Sequence, residues 1–459
     1  MSFGRRWFLG NAVAAPGAAW AASSARPASA VEKALAAGLA EVRLFNAHEH
    51  LIPEKERVSQ AVDFFTLAGH YALTDVISAG LGGDALAAVN DSKTPMEQRW
   101  KAFEPHWRAA RFTGYGQALA IAIADIYGVG EISAASLGQI NQAIAKRNKP
   151  GLYDYVLKDR AKIDWCLVDP YWSPKPAPLD RQYFLLSQRF DGFIAPSSRK
   201  DIEALEKISG VSIQSLAGLK KAAEKTFEQA LQIGMVSVKS ALAYRRDLLF
   251  EEVSDHDAAA DFEAMLKGGV DPPKGFRAQK QRVFRKLEDH MFHHVVRLAD
   301  AHRMPIQIHT GLLANNGCFI ENTNPRLLAN VFHLYPRVKF DVFHIGYPYQ
   351  QELAVMAKLF PNVYADFCWA HVISPPGSRR TLDEYLETVP ANKILGFGGD
   401  YRYPELTYAH AKMARGNVVQ VLAAKVEAGL FPEEPALEIG RMLLRDNAMH
   451  LFGVKDSRG

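Results

Sequence analysis

The stretch RLFNAHEHLI, residues 43–52, ends a run of strand-forming residues with His48 and His50 on either side of Glu49. In a β-strand successive side chains alternate faces, so residues two apart point the same way and can hold one ion between them. The chain carries 15 histidines, so this spacing alone is a weak signal. Further on, Lys239, His309, His344 and Asp400 stand at the ends of other short apolar runs, in MVSVKSA, PIQIHTG, KFDVFHI and KILGFGGD. Imidazoles and a carboxylate are the ligand types that a divalent, zinc-like ion accepts. If these runs end at one place, they form a metal site with Asp400 and His344 as its catalytic groups.

Convergence requires that the runs be parallel strands. After residue 40, short apolar runs alternate with longer helical stretches, a repeated β-α pattern that predicts an α/β protein with a (β/α)8 TIM barrel. Eight strands are expected, at 42–48, 162–168, 190–196, 235–241, 305–311, 339–345, 362–368 and 393–399. In such a barrel the chemistry sits at the carboxyl ends of the strands. The first, fourth, fifth, sixth and eighth end in a potential ligand. Residues 54–150 are too long for a simple crossover and contain segments such as TPMEQRWKAFEPHWRAARF. They read as a helical insertion covering the active-site face. A second insertion follows the fourth strand.

Composition bounds the partners. With 459 residues, 48% of them hydrophobic and 23% charged, the chain is ordinary globular protein. Residues 1–30 contain no acid, begin with Arg5-Arg6 before Trp7-Phe8-Leu9, and close on ASA. They read as a removable export signal resembling the twin-arginine type, which predicts a periplasmic barrel, 31–459; the alternative is a cytoplasmic protein with an unusual N-terminal tail. Gly4, Gly10 and Pro16 depart from that pattern. Losing Arg5, Arg6 and Arg26 lowers the formal charge from +4 to +1, so no nucleic-acid footprint remains. No membrane span is expected in the mature chain, and a homo-oligomer stays open. Cys166, Cys318 and Cys368 occur singly, without a CxxC pair.

The order His-x-His, Lys, His, His and Asp on strands one, four, five, six and eight resembles the amidohydrolase superfamily of metal-dependent barrel enzymes. VKSALAYRRDL, FHIGYPYQQELAVMAKLFPNVYADF and GGDYRYPE are similar to the amidohydrolase-type domain of nodulin/glutamine-synthetase-like fusion proteins. The insertion around TLAGHYALTDVISAGL resembles uronate isomerases of the same superfamily. Those isomerases usually lack the histidines on strands five and six, so His309 and His344 count against that branch.

The resemblance implies one or two divalent ions, zinc first among them, held by His48, His50, Lys239, His309, His344 and Asp400. An open coordination position for water, with Asp400 as general base, is the expected chemistry. His344 is a ligand of a second ion or a neutral partner to substrate. A bare ammonium beside a cation is repelled, so Lys239 should lose its proton or be modified. In binuclear relatives the equivalent lysine is carboxylated and bridges two ions; a neutral amine and an ion pair are the alternatives here.

For a small, carboxylated substrate, Arg245 is a candidate clamp and Tyr244 its assistant. Tyr347, Trp369, His371, Tyr401 and Arg402 follow strand ends and are further candidates. His290, His293 and His294 lie on the helix before strand five and read as structural, and His70 and His106, in the insertion, read first as packing and second as lid residues that reach the mouth. The expected activity is metal-dependent hydrolysis of an amide, lactone or related bond. The alternatives are a sugar-acid isomerase, a non-oxidative decarboxylase, and a non-catalytic metal or small-molecule binding protein.

Overall fold

A computed structural model describes residues 27–171, 173–268 and 283–455. The export-signal expectation falls largely on residues outside these; its last residues begin the described chain, where Ser29 caps the helix Ala30–Ala40 by accepting the Glu32 amide.

Eight parallel strands run in chain order around a nearly closed barrel. They are β1 Leu44–Glu49, β2 Ile163–Val168, β3 Phe184–Arg189, β4 Met235–Ser240, β5 Ile306–Ile308, β6 Phe340–Val342, β7 Val363–Asp366 and β8 Ile394–Leu395. Neighbouring strands pair in parallel register from β1–β2 through β7–β8. Backbone bonds from Ala47 to Phe397, Asp400 to His48 and His50 to Tyr401, all 3.0–3.1 Å, close the ring between β1 and the segment after β8. Most strand residues are buried, as expected for a parallel sheet with helices on its outside.

Seven of the expected strands overlap the observed ones, and the third is corrected. The strand is Phe184–Arg189, and Asp191–Ile194 within the expected 190–196 is a short helix. Gln188 and Arg189 pair with Val238 and Lys239, and the next residue but one leaves the ladder because the Asp191 carboxylate accepts the Ala241 amide at 2.8 Å. The later strands are also shorter than expected. Residues beyond their ends leave the ladder to aim side chains inward.

Inside the barrel, a polar layer supports the mouth. Ser187 donates to the Gln307 side-chain carbonyl at 2.9 Å, and the Gln307 amide donates to Asp341 and to the Ala47 carbonyl, both at 2.9 Å. Polar groups buried this deeply persist because they are paired.

Between β1 and β2 the chain forms seven α-helices, from Glu54–Ser59 to Leu137–Arg147, and then the π-helix Asp154–Arg160. The helix Gly114–Tyr127 starts where Thr113 Oγ1 accepts the Gly116 amide and stops at Gly128, whose φ of 74° suits a left-handed cap. This insertion has its own core of Phe64, Phe103, Trp107 and Leu119, continuous with Phe343, Trp369 and Tyr401 at the barrel mouth. Buried Arg57 ties it to the long helix Pro404–Glu427 through an ion pair with Glu405. Among the described residues no helix is long and apolar enough to cross a membrane.

Candidate metal centre and active site

The strand-end groups converge. His48 and His50 come from β1 and just beyond it, and their Nε2 atoms lie 3.4 and 3.2 Å from Asp400 Oδ1. Asp400 Oδ2 is 4.0 Å from His344 Nε2, which lies 3.1 Å from His309 Nδ1. One carboxylate thus stands between a β1 histidine pair and a histidine pair from the ends of β5 and β6.

The local backbone is set for this. His344, Trp369 and Asp400, which follow β6, β7 and β8, have φ of 62°, 61° and 60°. Non-glycine residues rarely adopt this conformation, which costs on the order of 1 kcal/mol or more each and is tolerated where the surroundings hold it. Asp400 is held by its amide on the His48 carbonyl at 3.0 Å and by the Tyr71 hydroxyl, which donates to its carbonyl at 2.7 Å. Tyr71 belongs to the insertion, so the lid helps to position the carboxylate.

The hydrogen bonds show that the donor set fits a cation. His50 Nδ1, His309 Nε2 and His344 Nδ1 lie 3.0, 2.9 and 2.9 Å from the carbonyls of Asp169, Leu312 and Cys368. A carbonyl only accepts, so each of these outer nitrogens carries a ring proton, and on His309 and His344 the inner nitrogen presents a lone pair. His309 and His344 therefore face each other lone pair to lone pair, and His50 faces a carboxylate oxygen. Burial, joined by the charge of Lys239, holds His309 well below the usual imidazole range and His344 down to about 4, so neither carries a second proton to relieve the contact. Buried His48 Nδ1 has no hydrogen-bond partner. A divalent ion accepting these lone pairs satisfies the set, and nitrogen and carboxylate ligands are those of catalytic zinc-type sites.

Electrostatics agree. Burial alone would raise the Asp400 carboxyl, but His48 and His50 beside it hold it well below the usual carboxylate range, so it is ionised. Lys239, on β4, lies with Nζ 3.6 Å from the Phe343 ring centroid, and burial pushes its amine down to about 8. Glu49 points to the other side of β1, as strand alternation predicts. It accepts from Asn46 and from the Tyr401 amide, both at 2.7 Å, and burial pushes it up to about 8.

A Cβ at Gly399 would sit 1.7 Å from Glu49 Oε1, and that carboxyl is pinned by Asn46 and Tyr401. Gly399→Ala is therefore expected to displace Asp400 and to lower stability by roughly 1–3 kcal/mol, the usual cost of overpacking. Metal content and thermal unfolding measured together check this; both unchanged would refute it.

A cavity of about 360 Å³ opens above the ligands, lined among others by His48, His50, His70, Tyr71, Arg189, Lys239, Tyr244, His309 and Asp400. Of the substrate candidates, Tyr244 is at this cavity, its hydroxyl accepting the Ala314 amide at 3.0 Å. Arg245 is exposed and points to the Ala195 carbonyl rather than into the cavity. Tyr347 lies outside the lining, and its carbonyl accepts the Leu312 amide. Trp369 and Tyr401 are buried behind the cavity wall, with Trp369 against Tyr71 and His344 and Tyr401 against His70. His371 is buried below the mouth, between the Gly396 carbonyl and the Asn417 amide, each at 3.0 Å.

That placement makes His371 a pH-sensitive stabiliser. Burial pushes it down to about 4, against about 6.5 when unfolded. The unfolded chain takes up the proton first, so its contribution is complete above about pH 6.5 and is lost as pH falls toward 4, about 3 kcal/mol in all. Denaturant unfolding of the wild type at pH 7 and pH 5 should show about 2 kcal/mol of this loss, and His371→Gln should reduce the dependence by about that amount. An unchanged slope would count against the assignment.

Three cavity residues were not singled out as ligands or substrate groups from sequence. Arg189 pairs with buried Asp169, with Nε 3.1 Å from Oδ2, and it escaped notice because β3 was placed six residues late. Tyr171 stacks edge-on against His50, and His70, pushed down to about 3 by burial, is neutral in the wall. His290 and His293 sit on the helix Arg285–Ala301, bonded to Val253 and Tyr335 away from the mouth.

Comparisons with known proteins bear on this site. Residues 252–454 match the family model described as amidohydrolase. Protein fluG of Emericella nidulans is 25% identical over 279 residues, 59% of this chain but 31% of its own length, so the chain spans under a third of that relative. A uronate isomerase of Nostoc punctiforme is 23% identical over 448 residues, 86% of this chain and 88% of its own. A uronate isomerase structure from Thermotoga maritima superposes with a TM-score of 0.75 at 16% identity, covering 92% of this chain and 97% of the other. The family match thus covers the chain from residue 252 to residue 454, and the barrel fold is shared with the Thermotoga maritima structure.

Proposed function

We propose that the protein is a metal-dependent isomerase of sugar acids. The observation that carries this reading is likeness to uronate isomerases over 86% of the chain in sequence and 92% in structure, insertion included, whereas the hydrolase reading rested on the strand-end residues and the likeness to amidohydrolase-type domains. The comparisons thus favour what the sequence offered as an alternative. His48, His50 and Asp400, with His309 and His344, are the residues that would hold the ion, which supplies Lewis-acid polarisation of substrate oxygens.

The chain's own groups meet the remaining needs. Arg189 and Lys239 place positive charge at the cavity, where a guanidinium clamps a carboxylate. Aldose–ketose interconversion moves protons between adjacent carbons and their oxygens. Ionised Asp400 can take one, and the neutral His70 imidazole can accept or donate another. The insertion covers the mouth and limits water.

Hydrolysis is the second reading, favoured by Lys239 buried at the end of β4 beside the His309–His344 pair. The test is metal-loaded protein with D-glucuronate and D-galacturonate, followed by NMR for the ketose. Interconversion abolished by chelator supports the proposal. No ketose, with ammonia or acid released from an amide or lactone instead, would replace it with hydrolysis.

A further inference from the structure

Cys368 enters none of the roles above. It lies just past β7, fully buried, and its Sγ, a His344 ring nitrogen and an Asp400 oxygen all lie within 4.8 Å of one another. The same Asp400 also belongs to the His48–His50 group. Three features point the thiol at a ligand. The carbonyl of Cys368 accepts from His344 Nδ1, so the residue that fixes the His344 tautomer is also the one whose sulfur groups with His344 and Asp400. A Cβ at Gly398 would meet Cys368 Sγ at 3.0 Å, so glycine there lets the β8 end approach the thiol closely. The lone pairs of His344 Nε2 and His309 Nδ1, 3.1 Å apart, need a cation on this side of Asp400.

We infer that Cys368 is a metal ligand: its thiolate, His344 and the Asp400 carboxylate hold a second divalent ion, with Asp400 shared between two sites. Binding forms a metal–sulfur bond and releases the thiol proton to solvent. A thiolate selects softer ions, so zinc, cobalt and cadmium should occupy this position in preference to magnesium or manganese. The inference rests on the metal reading of the site but not on the reaction proposed.

Cobalt titration of chelator-stripped protein tests it. Wild type should bind two equivalents and develop, with one of them, the near-ultraviolet thiolate-to-cobalt charge-transfer absorption, together with the visible bands of nitrogen- and oxygen-bound cobalt. Cys368→Ser should lose the charge-transfer absorption, keep visible bands, and bind its second equivalent at least about tenfold more weakly, the scale that even an outer partner of a ligand contributes. The double variant Cys166→Ala, Cys318→Ser, in which Cys368 is the sole thiol, should keep the absorption, a check that stands even if Cys368→Ser does not fold. Visible bands without charge transfer in wild type, charge transfer surviving in Cys368→Ser, or its loss in the double variant would each overturn the thiolate ligand. Failure to bind cobalt at all would overturn the metal site itself.

Discussion

Asp400→Asn is expected to lower turnover by on the order of 10³-fold, within the range a positioned acid–base group contributes, and to reduce metal content in the same preparation. Asparagine keeps the volume and tolerates the left-handed backbone that Asp400 adopts at φ 60°. Its amide cannot carry the charge that faces His48 and His50 from Oδ1 and His344 from Oδ2. The position is held from outside the side chain by the His48 carbonyl and the Tyr71 hydroxyl, so the scaffold should survive and the loss should be chemical. Elemental analysis, thermal unfolding and the D-glucuronate assay on one batch separate the two. Full metal content with more than a tenth of wild-type activity would remove Asp400 from the mechanism.

The largest stability effect is expected at Arg57. Its guanidinium is fully buried, paired with fully buried Glu405, and donates to Asn148 Oδ1 at 2.7 Å, while Tyr127 donates to the same Glu405 oxygen at 2.6 Å. Removing one partner leaves a charge in a dry environment, so Arg57→Ala should cost about 3–5 kcal/mol. Arg57→Met combined with Glu405→Leu removes both charges and keeps much of the volume; it should cost much less than the single change. Denaturant unfolding of the three proteins measures the difference. Because the pair ties the insertion to the helix Pro404–Glu427, the single variant should also lose activity as the mouth loosens. A single-variant cost below about 1 kcal/mol would show that the pair is solvated and not a structural tie.

The barrel and the strand-end residues that converge at its mouth were legible in the sequence because each depends on a local pattern. Alternating apolar runs and helical stretches announce parallel strands, and a residue at the end of such a run is carried to the mouth by topology. His48, His50, Lys239, His309, His344 and Asp400 were found in this way, as was the helical character of residues 54–150. Arg245 followed the same logic, but the chain turns after Ser240 and leaves it exposed. Arg189 was hidden because FDGFIAP is the more apolar of two neighbouring runs while FLLSQR, 184–189, ends in three polar residues, and only the pairing with β4 shows that the latter joins the sheet.

What the residues determined by themselves was the candidate site: the side-chain types at the mouth, the strands that bring them there and the class of fold. Tertiary structure decided the rest, because it depends on contacts between residues hundreds of positions apart. The Tyr71 bond to Asp400, the choice of ring nitrogen on His50, His309 and His344, and the approach of Cys368 to Asp400 have no local signature. Each is fixed by a backbone carbonyl or a side chain delivered from another element once the barrel has closed.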